Sequence, residues 1–519
     1  MTTTLPILAR LLNTPNMDQI VPRLPADVLQ RVIQVCGLED AAEFVALATP
    51  AQLSRVLDVD LWHGRTAGAD EQFDVDRFGL WLEVLMQSGA AVAAEKIVGL
   101  DLELAIAGFS GHAAVFEYAA VAAYTTLDGE EVPSRVSNVV TTAEIGGYVL
   151  EAKRPAGFET MVELLAFLQT AHAAFFERLM RGCVRLSNGV REQNGFHALL
   201  EDPEQDLFDL GSDREARREP RGYVTPAQAR AFMEEARLTR LSAARPPDSA
   251  LARAYFRGLE PTPAAHDASS VRPSGLLPES QSSDGADLAP GAVADVVEML
   301  REAGVLAAAP RGLLPSTDDE SARLTFVQDH VALHPAGQEQ LAYLANVILA
   351  GGSIQGRAFT APEAASAAAA ICNLGLEAWP PRWNDRDLVA AFQVGWTMLH
   401  RDVAMFAAKQ LVAVIAAIQC SDRDIELGLR SLKRTLKQSV RDAAPWRARE
   451  ALDVIMMLDA PSWAALVALT GECPVLHAAV SASRDRARSV SPSDYEFISQ
   501  QSEIALVGEF MASLTERLG

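Results

Sequence analysis

Apolar residues recur at helical spacing through most of the chain, and between residues 25 and 110 they do so twice in the same arrangement. The stretch from Pro25 to Gly37, followed by Leu38 to Ala48, aligns without a gap on Arg77 to Gly89, followed by Ala90 to Leu100. Val28 falls on Leu80, Val32 on Val84, Ile33 on Leu85 and Gly37 on Gly89. Beyond the glycine, Ala41, Ala42 and Glu43 fall on Ala93, Ala94 and Glu95, and Val45 on Ile97. Val28, Val32 and Ile33 line one face of a helix. Gly37 and Gly89 stand where a helix C-cap takes a residue that tolerates positive φ. The alanines that follow let a second helix approach the first. The pattern predicts helical hairpins that stack into an α-superhelix, and two copies are too few to stand without further docking.

The surroundings predict a mainly α fold in four parts. An N-terminal helical repeat domain covers 1–114. A mixed segment covers 115–242, with a small β element at 115–153 and a long helix at 159–181. A flexible linker at 243–290 is rich in Pro, Ser, Ala and Gly. A second all-helical domain covers 291–519, with helices expected at 291–304, 335–350, 361–376, 385–419, 422–443, 446–458, 461–471, 474–486 and 492–517. Strands are expected around Val115, Val121, Val139 and Gly147, with a hairpin turn at Asp128-Gly129. Residues 200–222 read as a charged loop and Leu324–Leu333 as a strand. Thr225-Pro226, Thr360-Ala-Pro362 and Ser491-Pro-Ser-Asp494 read as helix starts.

Composition sharpens this picture. Aromatics are 6% of 519 residues and alanine is abundant, which favours closely packed helices. A net charge of −23 repels nucleic-acid backbones and anionic lipid except at a local basic patch. Cys36, Cys183, Cys372, Cys420 and Cys473 are odd in number and scattered, so reduced thiols are expected. No run reaches membrane-spanning length, and the start lacks a secretory pattern. A cytoplasmic protein is expected.

The candidate chemistry is sparse. His330 and His334 are four apart but sit in a segment read as extended, before Pro335. Gly108-Phe-Ser-Gly-His112 lacks the second glycine of a nucleophile elbow and reads as a loop. Gly351 to Ala358 has P-loop glycine spacing, but Arg357 stands for the lysine and Ala358 for the hydroxyl, so its glycines read as a helix stop. Asp58, Asp60 and Asp101 are oxygen ligands that could gather a divalent cation. No catalytic, cofactor or metal residue is assigned. The candidate interaction surface is a cationic stripe of Arg430, Arg434, Lys437 and Arg441 opposite Leu429, Leu432, Leu436 and Val440. Trp379 and Trp383, on a proline-stiffened loop, are either recognition residues or core anchors.

Three segments carry a resemblance: Leu24-Pro-Ala-Asp-Val-Leu29, Asp40-Ala-Ala-Glu-Phe-Val45 and Pro50-Ala-Gln-Leu-Ser-Arg-Val-Leu-Asp58. Residues 24–60 resemble the superhelical N-terminal domain of MgtE-type magnesium transporters and the armadillo-like units of the flagellar switch protein FliG. No membrane domain follows, so a transporter is not implied. Over its length, through Tyr343-Leu-Ala-Asn346 and Cys372-Asn-Leu-Gly-Leu376, the chain is similar to a bacterial domain family of unknown function. The resemblance implies an α-superhelix and no activity. The leading expectation is a non-enzymatic cytoplasmic scaffold or adaptor with a protein partner, with self-association open and no nucleic acid. A regulator responsive to a divalent cation or small ligand is the second expectation, and a hydrolase with an unrecognised site is the third.

Overall fold

The computed structural model of the chain describes residues 14–64, 66–118, 141–188, 203–259, 291–303, 305–306, 323–383, 386–417, 423–448, 460–481 and 495–518. Asp128-Gly129, the strand expected around Val121, residues 260–290 of the expected linker and Ser491–Asp494 lie outside them. The described residues are mainly α-helical, with small antiparallel sheets. The contacts form two units. The first is Met1–His63, Gln72–Ala216 and Thr262–Ala309; the second is Gly64–Glu71, Arg217–Pro261 and Pro310–Gly519.

This division differs from the pattern-based boundaries. The helix Ala292–Glu302 buries Val296 and Leu300 in the first core, although it was expected to open the second domain. The helices Pro226–Arg237 and Ala250–Gly258 bury Phe232, Met233 and Ala252 in the second. Periodicity shows that a helix has a buried face but not which core receives it.

In the first unit the two aligned stretches share a backbone feature. Gly37 has φ 98° and ψ 151°, and Gly89 φ 97° and ψ 150°. The positive φ is as expected, but this ψ lies outside the left-handed helical cap, in a region essentially restricted to glycine. Val32 and Val84, Ile33 and Leu85, Ala41 and Ala93, and Val45 and Ile97 are all buried. The pair Val28 and Leu80 is not equivalent: Val28 is buried while Leu80 is 40% exposed. The expected β element is a three-stranded sheet in which Tyr148–Ala152 is central, flanked antiparallel by Ala113–Glu117 and Thr142–Ile145.

Three helical expectations change here. The single helix expected at 159–181 is two helices, Phe158–Ala171 and Ala173–Asn188, broken at His172 (φ −135°, ψ 51°). The buried series Met161, Leu164, Leu168, Phe175 and Leu179 stays in phase across the break, so periodicity could not show it. Residues 203–218 are a helix rather than a loop. Its charges include Arg214, which is buried, donates from Nε to the Asp58 carbonyl and lies 4.8 Å over the Trp62 ring. Gly108 to His112 are the last turn of the helix Leu102–His112, not a loop.

The second unit is organised around the alanine-rich helix Ala361–Glu377. Its start is the expected one: Thr360 and Glu363 form a reciprocal capping box. Its partner, Leu388–Met398, crosses at glycine. A Cβ on Gly375 would come 1.8 Å from the Ala391 carbonyl oxygen, and one on Gly395 2.1 Å from that of Ile371. The two backbones therefore touch, with alanines filling the remaining space. The expected helix 385–419 begins at Leu388 and widens into a π-type turn at Leu399–Ala404 before Met405–Ala417.

Thr325–Leu333 is a helix, against the expected strand. Val475–His477 is a strand, against the expected helix 474–486, and pairs antiparallel with Tyr495–Phe497. The last helix consequently starts at Gln501 rather than near 492. Val475 to His477 are all buried, and a short run buried on both faces does not reveal its period.

Candidate functional site

The cationic stripe lies on the helix Arg423–Arg441. Leu429, Leu432 and Leu436 recur every three or four residues and are buried, so the helix is held by one face. Arg430, Arg434, Lys437 and Arg441 are exposed on the other. With Lys433 and Gln438 they line one shallow groove of about 250 Å³. Arg430 pairs with Glu426 at 2.5 Å, an exposed contact worth only about 0.3–0.5 kcal/mol. Among the described residues, Lys433, Arg434, Lys437 and Arg441 have no ion pair.

The end of this helix is fixed. Ala444 donates to the Ser439 carbonyl at 2.8 Å and Ala443 to that of Val440 at 3.2 Å, which is a Schellman closure. Ala443 occupies the left-handed position at φ 52°, where a non-glycine residue costs about 1–2 kcal/mol. Arg237 Nη1 donates to the Ala443 carbonyl, and its guanidinium lies 5.4 Å from the Trp446 ring. Trp446 meets the imidazole of His400 edge-on at 5.4 Å. His400 is buried in the π-type turn and its Nδ1 lies 2.9 Å from the Trp396 carbonyl oxygen.

Burial lowers the His400 imidazole from its ordinary 6.5 to about 4, against weaker opposing contributions from the Trp396 and Glu472 backbone. The folded state therefore resists the proton that the unfolded chain accepts near pH 6.5. Stability from this group is complete above that pH and lost as the pH falls towards 4. Nearby Glu472 is raised by burial and works in the opposite direction. Urea midpoints measured from pH 7 to pH 4.5 should fall more steeply in the native chain than in His400→Gln, by up to about 3 kcal/mol. Parallel pH profiles for the two proteins would refute the assignment.

Trp379 and Trp383 do not form a recognition surface. They are 7% and 4% exposed, in the second core. Trp379 Nε1 donates to the Trp383 carbonyl at 3.2 Å, and Trp383 Nε1 to that of Ala243 at 3.0 Å. The prolines stiffen a loop that the indoles pin from inside.

The other sequence candidates carry structural duties. Asp60 accepts from Arg77 Nε and Trp81 Nε1, each at 2.7 Å, and Asp101 caps the next helix through the Glu103 amide at 3.1 Å. Asp58 is buried at the end of its own helix. Among the described residues, no group of three or more His, Cys, Asp or Glu side chains is placed to hold a metal ion. His330 and His334 share one helix end, their rings 4.3 Å apart, and burial lowers the His330 imidazole. Gly351 ends its helix as expected, and Gln355 and Gly356, both at positive φ, turn a two-residue hairpin. Burial pushes the Cys183 thiol up to about 11 and that of Cys473 up to about 12, and it raises Cys36 and Cys372 as well. The described thiols are therefore protonated at neutral pH and poor nucleophiles.

Two polar residues of structural weight were not singled out from the sequence, Asn373 and His400. Asn373 is a lone polar side chain in an apolar helical run, and that isolation was the available signal; His400 is followed directly by Arg401 and Asp402 and carried no such mark.

Among the described residues, no helix is long and apolar enough to cross a membrane. Residues 7–192 match the model of a family of unknown function (DUF6178). This stretch stops short of the second core, which begins at Val224. No curated protein and no solved structure matches the chain. The likeness of residues 24–60 to the magnesium-transporter and flagellar-switch superhelices thus gains no support from relatives.

Proposed function

We propose that the chain is a non-enzymatic cytoplasmic scaffold or adaptor that holds an acidic protein partner on the cationic face of the helix Arg423–Arg441. The observation that carries this reading is the groove of exposed cations on a helix whose apolar face is already buried. These cations span about three turns, and of them Arg430 alone pairs with a described carboxylate, that of Glu426. On a chain of net charge −23 such a face is a local exception, attractive to an acidic surface and able to steer its approach. The matching glycine geometry and burial in residues 25–110 support reading that region as a repeated helical hairpin, an architecture suited to scaffolding.

The reading is tested with the double variant Arg434→Glu/Lys437→Glu and a fluorescein-labelled oligoglutamate peptide, by anisotropy at low and moderate salt. The native chain should bind the peptide in a salt-sensitive manner. The variant should bind at least about tenfold more weakly, with stability changed by no more than about 0.5 kcal/mol. Equal binding by both proteins would remove this surface from consideration.

A further inference from the structure

The cations of the helix Arg423–Arg441 also have a register. Arg430, Arg434, Lys437 and Arg441 follow one another at intervals of four, three and four residues, the spacing of one helix face. With a rise of about 1.5 Å per residue, the steps along the axis are about 6, 4.5 and 6 Å, and the row is about 16.5 Å long. Lys433 and Gln438 border the row in the same groove. The carboxylate just beyond its end, Asp442, accepts from Gln438 Nε2 at 3.0 Å.

The row is fixed from behind. Leu429, Leu432 and Leu436 are buried in the second core. The last turn is closed by the Ala443 and Ala444 amides and by the Arg237 guanidinium on the Ala443 carbonyl. The backbone therefore cannot curl round a ligand, and the cations stand in file rather than converge. None of the side chains lining the groove is buried. A single phosphate or other small anion is held by donors that meet at one point, which a row of this length does not provide. The groove is shallow, so its occupant lies along it.

Such an occupant has to bring carboxylates at matching intervals. An extended chain turns every second residue to one side, a step of about 6.8 Å, so four carboxylates on it span about 20 Å and overrun the row by about 4 Å. A helix with acids at i, i+4, i+7 and i+11 repeats the steps of the cations themselves. The order four, three, four reads the same from either end, so the match holds for both directions of the partner. Two helix axes side by side lie about 8–10 Å apart, a gap that glutamate and arginine or lysine side chains bridge.

We infer that the occupant of this groove is an α-helix of a protein partner that carries an acidic row at i, i+4, i+7 and i+11. This deepens the reading of an acidic partner and rests on it.

The test compares three fluorescein-labelled peptides of equal charge, by anisotropy with the full chain. The first carries four glutamates at i, i+4, i+7 and i+11 in an alanine–glutamine frame. The second carries them at five-residue spacing, which turns each by about 140° and spreads them round the helix. The third keeps the first arrangement but has two prolines off the acidic face, which bar the helix. The first peptide should bind at least about fivefold more tightly than either of the others. Labelled with carbon-13, it should show helical carbon shifts when bound. Equal affinity for all three, or extended-chain shifts in the bound first peptide, would overturn the helical occupant and leave an acidic partner in place. Binding by none of them, and none by oligoglutamate, would remove the acidic partner and this inference together.

Discussion

Gly375→Ala is expected to destabilise the second unit by about 3–5 kcal/mol, enough to leave a large unfolded fraction of a marginally stable core. The added methyl would sit 1.8 Å from the Ala391 carbonyl oxygen, which belongs to a helix backbone and cannot rotate away. The helices Ala361–Glu377 and Leu388–Met398 would have to separate, and the alanines between them would lose contact together. Gly508→Ala is the control. It lies in the helix Gln501–Leu518 with nothing within 4 Å of a new Cβ, and should gain about 0.5–1 kcal/mol by restricting the unfolded chain. Urea unfolding followed by tryptophan fluorescence reads both changes. A Gly375→Ala midpoint equal to that of the native chain would show that the two helices are not in backbone contact.

The second large effect is expected at Asn373, which is completely buried. Its Oδ1 accepts from the Val327 amide at 3.1 Å. Its Nδ2 donates to the Arg323 carbonyl at 3.0 Å and to the Ser499 carbonyl at 2.9 Å. One side chain thus ties the starts of two other helical segments to the central helix. Val327 is in the first turn of Thr325–Leu333, where helix amides have no partner of their own, and Leu324 supplies no side-chain cap. Asn373→Ala removes all three bonds and takes this partner from the buried Val327 amide and Ser499 carbonyl, while the Arg323 carbonyl keeps Gln500 Nε2 at 3.4 Å, at a cost of about 2–4 kcal/mol. Hydrogen exchange at the Val327 amide should accelerate before global unfolding does. Unchanged exchange there, with an unchanged midpoint, would refute the capping role.

Asn373 also explains why some helix starts were legible and others were not. Thr49, Thr225 and Thr360 cap their own helices through a residue three positions on. Of these, Thr225 and Thr360 were read from the sequence. Thr325–Leu333 is capped from a residue 46 positions away, so its start carries no local mark and the apolar alternation suggested a strand. The helix Pro203–Arg218 was missed for a related reason: its charged composition resembles a loop until Arg214 finds the Asp58 carbonyl and the Trp62 ring. The cationic stripe was legible because its partition of charge from leucine is a property of one helix.

The sequence by itself determined the mainly helical class, the positive-φ glycines at 37 and 89, the small sheet after residue 112 and the amphipathic form of the cationic helix. The helical features depend on contacts within a few residues, which spacing records directly, and the sheet was marked by strand composition although Ala113–Glu117 pairs with the distant Tyr148–Ala152. Only the tertiary structure decided which helices share a core, that Trp379 and Trp383 face inward, and that Gly375 and Gly395 bring two backbones together. Those features join residues distant in the chain, and no local period encodes which distant surfaces will fit together.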